Sequence, residues 1–291
     1  MIEGTDPFFT FVCFFRQEGP MQENKSVTID VDAILKNKFG ERKIPGPIRY
    51  LIRRILHQDD FNEYFRKGDV GYEFVEGFIR FINVRIDVIG QENIPAQGRF
   101  TFVSNHPLGM LDAGFETAWL ARRYNGNVAV PANDFMMSIK QVGAYLIPVN
   151  KVGAQDRSLG EILNDAFRSD RQMLFFPAGS CSRQINGVIT DTPWKKTFLT
   201  RSRETQRDII PIWFSGQNSK RFYRIAKWCK RLGIKTNYAM YTLPDELFRS
   251  RGKQYKMVIG KPIPYTIFTP DKTDSQWVSY VRDQVYSLKQ D

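Results

Sequence analysis

From residue 84 onward, short apolar runs alternate with segments of helical periodicity, and this alternation constrains the fold more strongly than any other feature of the chain. Apolar runs of roughly four to eight residues between turn residues are typical of buried strands, and strands that alternate with helices build an α/β sheet. The pattern predicts strands at 84–88, 100–103, 127–130, 145–149, 173–176, 209–214 and 257–259 with Ile263. It predicts helices at 109–124, 159–167, 194–203 and 277–288. We therefore expect an α/β fold in which a mixed β-sheet is flanked by helices.

The first 82 residues predict helices without an intervening strand. After Pro45 and Pro47, which mark a helix start, apolar and basic residues occupy different positions of a helical repeat, and this indicates an amphipathic basic helix. The apolar residues are Ile48, Leu51, Ile52, Ile55 and Leu56, the basic residues are Arg49, Arg53 and Arg54, and a second apolar set is Phe74, Val75, Phe78, Ile79 and Ile82. We therefore divide the chain into an N-terminal extension with an amphipathic helical unit, 1–82, and a main domain, 83–291.

No segment of the sequence has the character of a membrane-spanning helix. The longest near-apolar run, 8–15, contains Thr10 and ends at Arg16, far short of the ~20 residues that a spanning helix needs. The run also lacks the basic beginning of a secretory signal. Met21 is an alternative start, with which residues 1–20 would be an extension without a structural role.

The net charge indicates an anionic partner. The chain has 42 Lys and Arg against 31 Asp and Glu, and the resulting formal charge of +11 suits a phospholipid surface, a nucleic acid or an acidic carrier protein. Basic segments at 47–56 and 219–231 favour peripheral attachment to the cytoplasmic face of a membrane, and 219–231 would also suit an acidic carrier protein. No familiar nucleic-acid-binding motif occurs, so we expect no nucleic-acid partner. The three cysteines have no CxxC spacing, which favours a reducing compartment and argues against a zinc site.

The segment from Ser104 to Asp112 carries the clearest chemical signal. It lies where an expected buried strand gives way to a helix, and sites in α/β sheets form at such strand ends. One of the chain's two histidines, His106, stands six positions before Asp112 across a Pro-Leu-Gly turn that can fold the two side chains together. An aspartate that orients an imidazole and stabilises its protonated form makes it a competent general base for a hydroxyl. An isolated pair of this kind would also fit a purely structural turn. The surrounding sequence therefore has to distinguish the catalytic interpretation from the structural one.

Asn105-His106 followed by Asp112 resembles the NHxxxxD signature of the lysophospholipid acyltransferase superfamily, with one residue more between histidine and aspartate. The longer pattern Asn-His-Pro-Leu-Gly-x-Leu-Asp is similar to a bacterial branch that includes ornithine- and glycine-lipid O-acyltransferases and hemolysin-like acyltransferases. Three further segments fit that branch in the same order: 175–183, 191–198 and 210–219. The resemblance extends from about Leu51 to Ile263.

The resemblance implies a glycerolipid acyltransferase-like fold, with 83–291 as the acyltransferase catalytic domain. It also implies that His106 removes the proton from an acceptor hydroxyl, with Asp112 as its partner. The hydroxyl then attacks the thioester of an acyl carrier protein or of acyl-CoA, which serves as cosubstrate. The family's chemistry uses neither a metal nor a bound cofactor, so we expect none.

The resemblance places substrate-binding residues at Asn105 and in the loop that replaces the family's EGTR block. That loop contributes Gly179, Ser180, Ser182 and Arg183, and a guanidinium beside hydroxyls suits an anion. A plain strand-to-helix turn is the structural alternative. Ser180 is not expected to be a hydrolase nucleophile, because its surroundings lack the G-x-S-x-G elbow.

A single arginine suits a carboxylate better than a phosphate monoester. We therefore expect the acceptor to be the 3-hydroxyl of an N-(3-hydroxyacyl) amino acid, such as a lyso-glycine or lyso-ornithine lipid. Lys195 and Lys196 would add positive charge once folded, and the alternative is therefore a 1-acylglycerol-3-phosphate acyltransferase. A membrane-associated scaffold without activity is a further alternative, which the intact pair of His106 and Asp112 disfavours. His57 is expected to serve the C-terminal dipole of the first helix and no catalytic role.

Overall fold

The computed structural model describes residues 30–32, 45–132, 139–149, 157–234 and 238–290. The alternative start at Met21 and Cys13 lie outside these residues. The helices are α1 Gly46–Ile55, α2 Gln58–Phe65, α3 Gly71–Phe81, α4 Met110–Arg123, α5 Arg157–Arg168, α6 Thr197–Glu204, α7 Lys220–Arg231, α8 Leu243–Phe248 and α9 Asp274–Ser287. The strands are β1 Arg85–Ile89, β2 Phe100–Ser104, β3 Val128–Ala132, β4 Leu146–Pro148, β5 Gln172–Phe175, β6 Arg183–Ile185, β7 Val188–Thr190, β8 Asp208–Phe214 and β9 Gln254–Ile259.

Seven of these strands form one mixed sheet in the order β1-β9-β8-β2-β5-β3-β4. The strands from β8 to β4 run parallel, whereas β9 is antiparallel to β8 and carries β1 parallel to itself. β2 lies between β5 and β8, and all five of its residues are buried. The predicted mixed α/β fold with helices around the sheet is therefore confirmed.

Alternate residues of the central strands enter two different hydrophobic clusters, as the two-residue period of a strand requires. On one face, Phe102, Leu174 and Ile210 pack with the apolar side chains of α1–α4 and α8. On the other face, Val103, Met173 and Ile209 pack with those of α5, α6 and α9. The N-terminal helices thus share one core with the sheet, although the division at residue 82 stays a prediction about the sequence.

One local prediction needs correction. The helix predicted at 194–203 begins at Thr197, and the indole Nε1 of Trp194 is bound to Asp191 in the preceding loop. His57 follows α1 in a left-handed conformation, its amide donates to the carbonyl of Arg54 at 3.3 Å, and its ring nitrogens lie 3.1 Å from a carboxylate oxygen of Asp60 and 3.1 Å from one of Asp245. Its predicted role at the helix dipole stays a prediction. Among the described helices, none combines the length and the apolar character that crossing a bilayer would require.

Candidate active site

The site forms where β2 ends, because β5 and β8 on either side of it run in the same direction. Parallel strands bring the loops that follow them to one edge of the sheet. Asn105, the first residue beyond β2, fastens its loop to β8. Its side-chain nitrogen donates to the carbonyl of Phe214 at 2.9 Å, and its side-chain oxygen accepts from the Phe214 amide at 2.7 Å.

A tight turn then returns the chain towards His106. Gly109 has a φ of 90°, a backbone conformation that favours glycine. A Cβ atom at this position would lie 2.6 Å from the sulfur of Cys181, so there is also no room for a side chain. The turn starts α4 immediately afterwards and brings Asp112, in the first turn of that helix, beneath the histidine.

The imidazole and the carboxylate form a hydrogen-bonded pair. Nδ1 of His106 lies 3.2 Å from Oδ2 of Asp112, whose side chain is completely buried. The amides of Leu108 and Ala113 donate to the two oxygens of the same carboxylate at 3.0 and 2.8 Å. The ring of Phe176 lies against the imidazole, with 4.6 Å between centroids. Because Nδ1 faces Asp112, Nε2 is the nitrogen that can accept a proton from a substrate.

A second carboxyl group, Glu116, lies one helical turn after Asp112 and is also fully buried. Burial, and next the negative charge of Asp112, raise the pKa of Glu116 well above its ordinary range. The hydroxyl of Ser104 donates to Glu116 Oε1 at 2.9 Å. Glu116 therefore favours its protonated form, and Asp112 is the carboxylate that contacts the His106 ring.

The backbone of His106 is held by a third carboxylate, Asp191. Its Oδ1 accepts from the His106 amide at 3.3 Å and from the Ser182 hydroxyl at 2.6 Å, and its Oδ2 accepts from Trp194 Nε1 at 3.0 Å. The amide of Ser182 donates in turn to the His106 carbonyl at 2.7 Å. Asp191 and Ser182 thus fix both polar groups of the His106 backbone, and we call these two residues the backbone clamp.

His106 opens on a cavity of about 340 Å³ whose walls are mostly apolar. One wall comes from the N-terminal helices and α8 and includes Leu56, Phe61, Phe65, Phe74, Phe78 and Leu247. The other comes from β3–β5 with α5 and α6 and includes Val130, Ala132, Leu146, Leu163, Phe175 and Phe198. Gly179, Ser180 and Lys195 also line it. An apolar cavity beside a histidine base suits a substrate with a long hydrocarbon chain.

Some of the predicted site residues line the cavity, whereas the side chains of others are bonded to neighbouring parts of the protein. His106, Gly179 and Ser180 line the cavity, with Asp112 directly behind the histidine. The Asn105 amide is engaged by β8 and the Ser182 hydroxyl by Asp191, as described above.

Arg183 also lies outside the cavity lining. Its Nη1 donates to the carbonyls of Cys181 and Ser182 at 2.8 and 3.2 Å, and its guanidinium lies 5.2 Å from the centre of the Phe222 ring. The roles assigned to Asn105, Ser182 and Arg183 as substrate ligands therefore stay predictions, without a side chain in the cavity to support them.

The sequence reasoning missed Asp191 as a site residue and gave Lys195 only a reserve role. A signal was present, because both lie in the segment 191–198 that resembles the acyltransferase branch. Nothing in that segment distinguishes a buried carboxylate from an exposed one. In the described ranges, no group of three or more His, Cys, Asp or Glu residues is arranged to hold a metal ion. The expectation that no metal or cofactor is needed stays a prediction.

A histidine–aspartate pair at the end of a central strand, facing an apolar cavity, is an arrangement that can activate a hydroxyl beside an apolar substrate. Comparison with known proteins identifies the enzyme class. The family model described as Acyltransferase matches residues 34–291, and the chain belongs to this family. The prediction of an acyltransferase is thereby confirmed.

Two bacterial relatives are similar over nearly their whole length. A lyso-glycine lipid O-acyltransferase of Phocaeicola vulgatus is 42% identical over 272 residues, which cover 92% of this chain and 98% of the relative. A lyso-glycine lipid O-acyltransferase of Bacteroides thetaiotaomicron is 42% identical over 272 residues, which cover 92% of this chain and 100% of the relative. The resemblance to the glycine-lipid branch, predicted from the motifs, is confirmed.

Among solved structures, the 1-acyl-sn-glycerophosphate acyltransferase PlsC of Thermotoga maritima is similar, with 17% identity and a TM-score of 0.46. The match covers 89% of this chain and 88% of that chain. A likeness of this strength carries no argument about the site.

Proposed function

We propose that this enzyme is an O-acyltransferase that moves a fatty acyl group from an acyl thioester to the 3-hydroxyl of a lyso-glycine lipid. The observation that carries the proposal is the pair of His106 and Asp112 at the edge of an apolar cavity. The two relatives named above support the choice of acceptor. The acyl donor is the thioester of an acyl carrier protein or of CoA.

The proposed reaction is a single displacement through a tetrahedral intermediate. Nε2 of His106 takes the hydroxyl proton as the hydroxyl oxygen attacks the thioester carbonyl. The carbon–sulfur bond then breaks, and the protonated imidazole returns the proton to the departing sulfur. An ester and a free thiol result, without an acyl-enzyme. Asp112 stabilises the imidazolium between the two proton transfers.

The apolar walls would hold the hydrocarbon chains of the substrates. Each buried methylene group contributes about 0.8 kcal/mol to binding. A chain held in the cavity would fix the position of the reacting group relative to His106, and such positioning accounts for a large part of enzymatic rate enhancement.

The test offers the purified enzyme lyso-glycine lipid and lysophosphatidate with the same acyl donor. We expect kcat/KM to be at least about tenfold higher for lyso-glycine lipid, since the described residues of the cavity lining include one lysine and not the denser cationic cluster that suits a phosphate monoester. Product formation is followed by mass spectrometry. Faster turnover of lysophosphatidate would make the enzyme a 1-acylglycerol-3-phosphate acyltransferase instead.

We infer further that the enzyme binds peripherally to the cytoplasmic face of a membrane, where its acceptor resides. Helix α7 supports this inference, because its outer face combines cations with an exposed indole. Arg224, Lys227 and Arg231 are exposed on that face, and Trp228 is 68% exposed. Tryptophan favours the membrane interface, and each basic residue near an anionic surface contributes about 1 kcal/mol. The exposed indole favours a lipid surface over an acidic carrier protein as the partner of this helix.

The double variant Arg224→Glu/Lys227→Glu should bind anionic vesicles about tenfold more weakly than the parent, because two attractive charges become repulsive. Co-sedimentation with anionic and with neutral vesicles measures the effect. The same charge change at two exposed lysines elsewhere, Lys253→Glu/Lys289→Glu, is the control and should cost less. Equal binding of the parent to both kinds of vesicle would contradict electrostatic attachment. A raised KM for acyl carrier protein with unchanged vesicle binding would assign α7 to the donor.

A further inference from the structure

Lys195 differs in charge from the other side chains that line the cavity. Within the described residues, it is the one side chain of the lining, other than His106, that can carry a positive charge, and no carboxylate lines the cavity. Its amide donates to the carbonyl of Pro177 at 3.0 Å, which ties Lys195 to the turn that follows β5. Its amino nitrogen lies 3.8 Å from the place where a Cβ atom on Gly179 would stand. The ammonium group therefore lies beside the Gly179–Ser180 turn, on the same cavity as the histidine.

Lys195 has no carboxylate partner among the described residues, whereas the neighbouring Lys196 has one. Lys196 Nζ lies 3.0 Å from an oxygen of Asp274, and Arg203 reaches the other oxygen at 3.2 Å. Two consecutive lysines thus have different surroundings. The ammonium of Lys196 is engaged by the protein surface, and that of Lys195 is available to a ligand in the cavity.

Arg183, which the sequence suggested for this task, is already engaged by two backbone carbonyls and by the face of Phe222. A guanidinium in that position would have to give up these contacts to reach a substrate. Lys195 needs no such rearrangement, because it lines the cavity as it stands.

We propose that Lys195 binds the carboxylate of the acceptor and so makes the enzyme selective for an acidic lyso-lipid. The proposal rests on the proposed function. In an N-(3-hydroxyacyl) glycine, only a short chain containing the amide separates the reacting hydroxyl from the carboxylate. Both groups must therefore be bound in one site, and His106 and Lys195 line the same cavity. The two residues also contact adjacent positions of the chain, since the His106 ring packs on Phe176 and the Lys195 amide donates to the carbonyl of Pro177. Ser180 lines the cavity at the same turn, and its hydroxyl would donate a hydrogen bond to the same carboxylate.

The experiment compares Lys195→Met with Lys196→Met, using N-(3-hydroxyacyl) glycine and its methyl ester as acceptors. The methyl ester keeps the hydroxyl, the amide and the hydrocarbon chain but has no negative charge. We expect Lys195→Met to raise the KM for the acid about tenfold or more, since a charge-assisted hydrogen bond is lost. With the methyl ester, Lys195→Met and the parent should perform alike. Lys195→Arg should restore most of the affinity for the acid, and Lys196→Met should behave as the parent does with both acceptors.

The remaining outcomes would overturn the proposal, each in a distinct way. An equal loss with acid and methyl ester would mean that Lys195 supports the turn and not the carboxylate. A raised KM for the acyl donor alone would assign Lys195 to a phosphate of the donor. A raised acceptor KM in Arg183→Met but not in Lys195→Met would return the role to Arg183. If the parent acylates lyso-glycine lipid and Lys195→Met does so equally well, this inference fails while the proposed function stands; an inactive parent would instead remove the proposed function.

Discussion

Replacement of His106 by alanine is expected to lower kcat for acyl transfer by a factor of about 10²–10⁴, the contribution that general base catalysis typically makes. The imidazole is both held by a buried carboxylate and open to the cavity. Steady-state kinetics with lyso-glycine lipid measure the change. The KM for the acceptor should change little, because the cavity walls remain.

The chain contains its own control for this variant. His57, the other histidine, also lies between carboxylates, at Asp60 and Asp245, but it does not line the cavity. His57→Ala should therefore keep a kcat within a few-fold of the parent. The thermal unfolding midpoint of His106→Ala should stay near that of the parent. Substantial acyl transfer by His106→Ala would rule out the proposed base.

Asp112→Asn belongs to the same prediction. The amide keeps the size of the carboxylate but loses its charge, so a protonated imidazole is no longer stabilised. We expect a loss of kcat comparable to that of His106→Ala. Because the two residues act as a unit, the double variant should lose little more than either single variant. Fully additive losses would show that the pair does not act together.

Replacement of Asp191 by alanine is expected to affect both stability and catalysis. Three donors, on His106, Ser182 and Trp194, would lose a buried acceptor, and unsatisfied buried donors cost about 1–3 kcal/mol each. The free energy of unfolding should therefore fall by about 3 kcal/mol. The kcat of the folded enzyme should fall about 10²-fold, because a displacement of about 1 Å of a catalytic group has that effect.

Chemical denaturation and kinetics on the same preparation separate the two effects. Asp274→Asn is the matched control, since Asp274 also accepts hydrogen bonds from two side chains, those of Lys196 and Arg203, but makes no contact with His106. It should leave kcat unchanged. A less stable Asp191→Ala enzyme with the parent's kcat would mean that the backbone clamp supports the fold and does not position His106.

Much of the fold was predictable because its signal is local. β2 is buried on both faces, so its sequence from Phe100 to Val103 is apolar except for Thr101, and the helix after it has an apolar face of its own. His106 and Asp112 were predictable for the same reason, since one turn of chain brings them together. The β6–β7 hairpin was missed, although Asn186 and Gly187 between its strands both have positive φ and are typical of a two-residue hairpin turn.

The contacts that were not predictable are those between segments distant in sequence. Asp191 reaches the amide of His106 across 85 positions, and no local pattern specifies which carboxylate will do so. Arg183 begins β6 and Lys195 follows β7, and their order along the chain does not reveal which cation faces the cavity. The packing of Arg183 on Phe222, from a helix that comes much later, decides that question.

The two walls of the cavity come from different parts of the chain, and this affects how related enzymes can diverge. Helices α2 and α3 contribute Phe61 and Phe74 to one wall, with Leu56 between α1 and α2, yet in the described part of the chain these segments supply none of the hydrogen bonds that fix His106 and Asp112. Substitutions on these helices can reshape the space for a hydrocarbon chain while the proton-transfer geometry is conserved. Chimeras that exchange α2 and α3 between relatives should therefore inherit their chain-length preference from the donor of the helices and their catalytic rate constant from the donor of the sheet.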